Sequence, residues 1–199
     1  MAAPSVKLTS PPTNTLEQCD ASLGAYLRAW DQVEHQLLPL LNALLGTHQS
    51  ATLAILRSGL NQPTLRTILD ALGSIRLKEG DQKKLNALLS RWKTASTKRN
   101  KLVHGHWMLS IEMVPGPSGK RDHTKSEWVR FYSPNNSADY ENIFGSKRDE
   151  KLRAAHLFKL SDINRAAAHV RKLAADIEAF NATIAVMPFV TPGHIEIEQ

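Results

Sequence analysis

Apolar residues recur at three- and four-residue intervals from Leu16 to Leu45, at Leu23, Leu27, Trp30, Val33, Leu37, Leu41 and Leu44. That spacing puts them on one face of a helix and predicts a long first helix with a buried stripe. Pro39 falls inside the run and is expected to kink or divide it, because proline removes an internal hydrogen bond and crowds the preceding turn. Gly46 to Gln49 supply a break. A short helix is then predicted over Ser50 to Arg57, ended by Ser58 and Gly59. Another begins near Pro63, a residue suited to a helical first turn. Its inward positions are Leu65, Ile68, Leu69, Leu72 and Ile75, and Glu79 and Gly80 close it. Asp81 is the expected cap of a fourth helix, Gln82 to about His104 or Trp107, with Leu85, Leu88, Leu89 and Trp92 on its core side.

The pattern then changes period. Met108 to Val114 is apolar and partly β-branched, Pro115 to Gly119 reads as a turn, and Trp128 to Tyr132 has strong strand propensity. A hairpin with a long polar connection fits these features. Pro134 to Glu150 reads as an exposed loop with room for a short helical piece, and Leu157 to Leu160 suits a third short strand. Ser161 opens a final long helix whose stripe is Ala167, Val170, Leu173, Ile177 and Phe180, expected to stop before Pro188. The fold class expected is mainly α: a helical bundle with a β-hairpin or three-stranded insertion before its last long helix. Residues 1–14 read as a disordered lead, 15–190 as a single domain with a β-rich and loop insertion at 108–160, and 191–199 as a flexible tail.

Composition narrows the classes. With 42% hydrophobic and 22% charged residues over 199, the chain is globular and long enough for a substantial core. One cysteine, Cys19, excludes an intramolecular disulfide and a cysteine-rich zinc site, and suits a reducing, cytoplasmic setting. The apolar part of the first helix is cut by Glu34, His35 and Gln36, so no membrane span is expected. No internal repeat, phosphate loop, dinucleotide fingerprint or metal-ligand spacing is present, and neither metal nor cofactor is expected. The formal charge of +6 favours encounter with a polyanion such as RNA. Part of that charge gathers at Lys93 to Lys101, beside the most informative residues.

Those residues are Lys98 to Trp107, KRNKLVHGHW, at the end of the predicted fourth helix with Gly105 as its stop. At about 100° per residue, Asn100 and His104 share a face, whereas Arg99 and His104 stand roughly 140° apart. One helix does not readily aim both at one small atom. Two such helices packed antiparallel across a twofold axis would line a shared cleft with two arginines and two histidines, which favours a homodimeric site. Histidine suits proton transfer, with a reference pKa of about 6.5. Arginine stays charged and grips two phosphate oxygens.

Arg99-Asn100-Lys101-Leu102-Val103-His104 resembles the signature of the HEPN superfamily (higher eukaryotes and prokaryotes nucleotide-binding): arginine, a polar residue often asparagine, three variable residues and histidine. The resemblance implies a four- or five-helix bundle whose protomers pair around a composite, metal-independent endoribonuclease site. It maps Arg99 and His104 to the catalytic pair and Asn100 to the supporting polar position. RNA carries its own 2′-OH nucleophile, so the products expected are a 2′,3′-cyclic phosphate and a 5′-OH. It also implies a role in antiviral defence or a toxin system, with an antitoxin or regulator as partner. One antitoxin-regulated branch carries tyrosine two residues after the histidine; His106 stands there in this chain.

His106 and Glu34 are further supporting candidates, Glu34 through an ion pair near the motif. Lys98, Lys101, Trp107, Arg130, Lys147 and Arg148 are candidate RNA contacts. Each has a plainer alternative. Arg99, Lys98 and His104 suit a solvated helix C-terminus, where the helix dipole favours positive charge. Trp107 and Trp30 suit a core, Trp128, Arg130 and Tyr132 an aromatic hairpin face packed on helices, and Lys147 and Arg148 a solvated surface. The competing functions are accordingly a catalytically silent RNA-binding module and a helical interaction or regulatory subunit.

Overall fold

The computed structural model describes residues 11–47, 49–114, 123–133, 137–144 and 149–185. The element order is α1 (Leu16–Leu45), α2 (Gln49–Arg57), α3 (Gln62–Arg76), α4 (Glu79–His104), β1 (His106–Val114), β2 (His123–Phe131), α5 (Ser137–Phe144), α6 (Glu150–His156), β3 (Leu157–Phe158) and α7 (Leu160–Ala185). The protein is therefore mainly helical, with a small antiparallel sheet before its last long helix, in strand order β1-β2-β3. None of the described helices is long and apolar enough to cross a membrane.

The chain divides into two compact units, residues 1–28 with 96–169 and residues 29–95 with 170–199. The second is helical. Its core is formed by Trp30, Val33, Leu37, Leu41 and Leu44 of α1, Leu65 and Leu69 of α3, Leu85, Leu89 and Trp92 of α4, and Leu173, Ile177 and Phe180 of α7. Asn61 caps α3 by accepting from the Thr64 amide at 3.0 Å, with Pro63 in the first turn. Gly73 is buried, and a Cβ there would stand 2.4 Å from the Leu85 side chain. It serves close packing here, without any special backbone angle. Asn181 is buried and donates to the Gln36 carbonyl at 2.9 Å.

The other unit holds the sheet. β1 and β2 pair from His106 opposite Phe131 to Val114 opposite His123, and β3 adds Phe158 opposite Arg130. Val129, Phe131, Ile143, Phe158 and Ile163 are buried. At the start of α1, Cys19 and Tyr26 are fully buried. Beyond the short β3, the free edge of β2 is closed by the chain entering α1. The Thr13 amide donates to the Ser126 carbonyl at 2.9 Å, and the Asn14 side chain both accepts from the Trp128 amide at 2.7 Å and donates to the Trp128 carbonyl at 3.0 Å. An unpaired edge is a template for unwanted strand pairing, and this clasp blunts it.

Several expectations need correction. Thr13 and Asn14, placed in the disordered lead, are tied to the sheet, and Asn14 is buried. Pro39 neither ends nor divides α1, which runs unbroken to Leu45. Ile75 is 70% exposed and Leu27 38% exposed, so neither faces a core; Cys19 and Tyr26 lead the buried stripe of α1 instead. Glu79 and Gly80 open α4 where closure of α3 was expected, and Asp81 lies in its first turn. β1 begins two residues earlier than expected, at His106. α6 starts at the last residue of the expected loop, capped by Asp149, which accepts from the Lys151 and Leu152 amides at 2.9 and 3.0 Å, and the third strand that follows is shortened to Leu157–Phe158 because α7 begins at Leu160. The expected turn at 115–119 and the tail from 191 lie outside the described residues.

Candidate functional site

α4 ends where the HEPN-like residues sit. Its last turn closes with the Gly105 amide donating to the Lys101 carbonyl at 3.0 Å. Gly105 is required here by space. A Cβ would stand 2.9 Å from the Lys101 carbonyl oxygen and 2.9 Å from that of Phe131, distances that side chains do not tolerate. The chain passes directly from helix into β1, so His104 closes the helix and His106 opens the strand.

The carbonyls left over at a helix C-terminus need donors. Arg130 supplies them from β2: Nε donates to the Leu102 carbonyl at 2.8 Å and Nη2 to the Val103 carbonyl at 3.1 Å. Its cross-strand partner is Trp107. Directly opposed residues put their side chains on the same face of a sheet, and the guanidinium lies 5.1 Å from the centre of the Trp107 ring. Trp107 Nε1 in turn donates to the Asp20 carboxylate at 2.8 Å. Burial pulls the Arg130 pKa down and the nearby Asp20 charge opposes it. Both candidate RNA contacts are thus engaged in holding the end of α4.

Neighbouring lysines are engaged too. Lys98 is half-buried with its ammonium 5.8 Å from the centre of the Phe158 ring, and burial depresses its pKa against the pull of Asp162. Lys101 Nζ donates to the Ala155 carbonyl at 3.0 Å, at the end of α6. Lys147 and Arg148 lie outside the described residues.

The motif residues contrast with these cations. Asn100 and His104 are exposed, and Arg99 is half-buried. Arg99 Nη1 donates to the Asn100 side-chain oxygen at 3.3 Å, while its buried Nε has no hydrogen-bond partner. Tyr26 lies within range of the Arg99 charge. Burial pushes the Tyr26 pKa far above the ordinary phenol value, and the guanidinium opposes that rise. Tyr26 went unrecognised from sequence. The clue was its four-residue spacing to Trp30, masked by the competing series Leu23, Leu27. Glu34 belongs to the other unit and accepts from Trp30 Nε1 at 2.6 Å.

His106 is exposed and meets the buried Phe131 edge-on, with ring centres 5.2 Å apart. Phe131 also makes edge contacts with Tyr140 and Phe144 of α5 at 5.9 and 5.4 Å. These α5 aromatics lie in a segment expected to be a loop with room for a short helical piece, and its local pattern does not single them out.

A groove of about 170 Å³ lies elsewhere in this unit, lined by Ser110, Glu112, Lys125, Glu127, Arg153 and Lys159 among others. Its charges oppose one another, and Lys159 pairs with Glu127 at 2.7 Å, so it presents no single-sign field. Among the described residues, no group of three histidine, cysteine, aspartate or glutamate side chains is placed to hold a metal ion. No protein-family model, curated protein or solved structure matches the chain.

Proposed function

We propose that the end of α4 carries a metal-independent endoribonuclease site of the HEPN kind, made composite by pairing of two copies of the chain. The observation that carries this reading is the division of labour among the polar side chains there. Lys98, Lys101 and Arg130 are occupied in holding the fold, whereas Asn100 and His104 face solvent and the half-buried Arg99 spends Nη1 on the adjacent Asn100.

The chemistry follows from these groups. Arg99 clamps the scissile phosphate and stabilises the charge that grows on its oxygens as the 2′-OH attacks. His104 transfers a proton, positioned by its place at the last residue of the helix. Asn100 orients Arg99, through the bond already present. Attack of the ribose 2′-oxygen on phosphorus and departure of the 5′-oxygen leave a 2′,3′-cyclic phosphate and a 5′-OH. Because Arg99 and His104 diverge around the helix, the second copy brings the missing partner into each half-site.

The half-burial of Arg99 beside Tyr26 favours one competing reading, in which Arg99 is structural and the surface binds RNA without cleaving it. Cleavage of a labelled mixed-sequence single strand in EDTA separates the two. Wild type should cleave to a cyclic-phosphate end, and equally folded Arg99→Ala and His104→Ala proteins should not. Strict dependence on added magnesium, or unaltered cleavage in both variants, would overturn the ribonuclease reading. Binding without cleavage would favour the silent module.

A further inference from the structure

α5 is a short helix that places Tyr140 and Phe144 four residues apart, on one face. Ile143 is fully buried and anchors the helix, and Phe131 is buried beneath the two rings. Yet Tyr140 is 41% and Phe144 43% exposed. A single exposed aromatic is ordinary on a protein surface. Here two rings stand together over a third, with their centres 6.3 Å apart, and the exposed His106 imidazole meets the same Phe131 ring from β1.

The cluster is also held in place. Phe131 touches all three rings edge-on, and the Tyr140 hydroxyl is hydrogen-bonded to Ser133. Rings fixed in this way lose little freedom when a flat partner settles on them. His106 is only two residues beyond His104, across Gly105, so the cluster adjoins the motif end of α4.

From this juxtaposition we infer that Tyr140 and Phe144, flanked by His106, form a stacking platform for a nucleobase of single-stranded RNA. Every base offers a π-face, so such a platform holds RNA with little sequence preference. The tilt of 30° between Tyr140 and Phe144 at this separation leaves no slot between them, so the base stacks on their outer side. The occupant follows from charge and size. The chain carries a net charge of +6, which draws a polyanion, and a patch of three rings suits one planar ring system better than a protein interface of about 800 Å² per partner. As a subsite for the nucleotide beside the scissile phosphate, the platform rests on the ribonuclease reading; as a base-binding site, it is measurable without any cleavage.

The test uses the full chain and a fluorescein-labelled, uncleavable 2′-O-methyl octanucleotide, with and without abasic residues at its centre. Anisotropy should show the base-bearing strand bound about tenfold more tightly by wild type. The paired substitution Tyr140→Leu and Phe144→Leu keeps Phe131 covered and should remove that preference, while leaving the salt dependence of binding unchanged. As a readout independent of that double variant, Phe144→Trp adds an indole whose emission the base-bearing strand should quench and the abasic strand should not.

Equal binding of the two strands by wild type, retention of the preference in the leucine pair, absence of RNA binding, or an unquenched indole would each overturn the platform. Cleavage of ordinary RNA, measured in parallel, keeps the two ideas apart. Cleavage without base preference removes the platform and leaves the nuclease; base preference lost in the leucine pair without wild-type cleavage does the reverse.

Discussion

Arg130 donates through Nε to the Leu102 carbonyl at 2.8 Å, so a side chain of β2 completes the hydrogen bonding at the end of α4. With the second bond to Val103 and the guanidinium 5.1 Å from the centre of the Trp107 ring, this arginine holds the last turn of the helix, next to His104.

Replacing Arg130 with alanine should therefore leave two helix-end carbonyls without their donor. We expect a loss of about 1–3 kcal/mol, read as a lower urea midpoint at unchanged slope. Arg130→Lys should restore only part of it, because an ammonium lacks the planar fork that reaches both carbonyls while stacking on Trp107. Full stability in Arg130→Lys would show that charge alone suffices.

Gly105→Ala tests the close approach of α4 and β2. The added methyl meets two backbone carbonyl oxygens, neither of which can swing aside as a side-chain tip would. The expected cost is about 1–3 kcal/mol by thermal or urea unfolding, with cleavage reduced further if His104 is displaced. An unchanged melting temperature would mean that the helix-to-strand passage is loose enough to take a methyl group.

On the proposed ribonuclease reading, His104→Ala should slow RNA cleavage by roughly 10²–10⁴-fold and Arg99→Ala by roughly 10²–10³-fold, with little change in stability for the exposed histidine. If the site is composite, specific activity should fall on dilution along the same curve as dimer content measured by sedimentation. Constant specific activity through dissociation would place the whole site in one chain.

In the helical unit, Arg91 pairs with Asp176 at 2.7 Å, with Lys172 3.7 Å from the same carboxylate. The hydrogen bond from Arg91 holds the Asp176 carboxyl below its ordinary range; burial opposes it, and the Lys172 and Arg91 charges add to the lowering. A depressed folded pKa contributes stability above the unfolded value of about 3.9, lost as pH falls through the folded value. Asp176→Asn should thus cost up to about 1 kcal/mol at neutral pH, since the pair is largely solvated, and less near pH 2. Equal costs at both pH values would point to packing instead.

Asn14→Ala should weaken the clasp on β2 by about 1–2 kcal/mol, since it removes both side-chain bonds to Trp128 and leaves the backbone of a strand edge unpaired. Increased hydrogen exchange at the Trp128 amide, confined to that edge, would be the accompanying sign.

How much of this was legible beforehand depends on the range of the forces involved. The long helices follow from local periodicity and caps, and the apolar, β-branched runs at Met108–Val114 and Trp128–Tyr132 set two strands apart from them. The cap at Asp149 was equally local, but the polar residues around it read as loop. The Arg-Asn-x-x-x-His spacing is likewise a property of sequence, and with it the conclusion that Arg99 and His104 diverge around one helix. Local pattern gave no means of choosing between Leu27 and Tyr26, which stand one residue apart: which of the two is buried depends on where the other elements of the fold lie. Nor could it pick out the cations that the fold engages. Lys98, Lys101 and Arg130 are all basic in sequence, and only Phe158, the Ala155 carbonyl and the end of α4, brought up from as many as 60 residues away, engage them. Helix periodicity and the Arg-Asn-x-x-x-His spacing are written locally in the chain, whereas which side chains at the end of α4 are held and which face solvent depends on distant residues, because burial and hydrogen-bond partnership are properties of the neighbours that folding supplies.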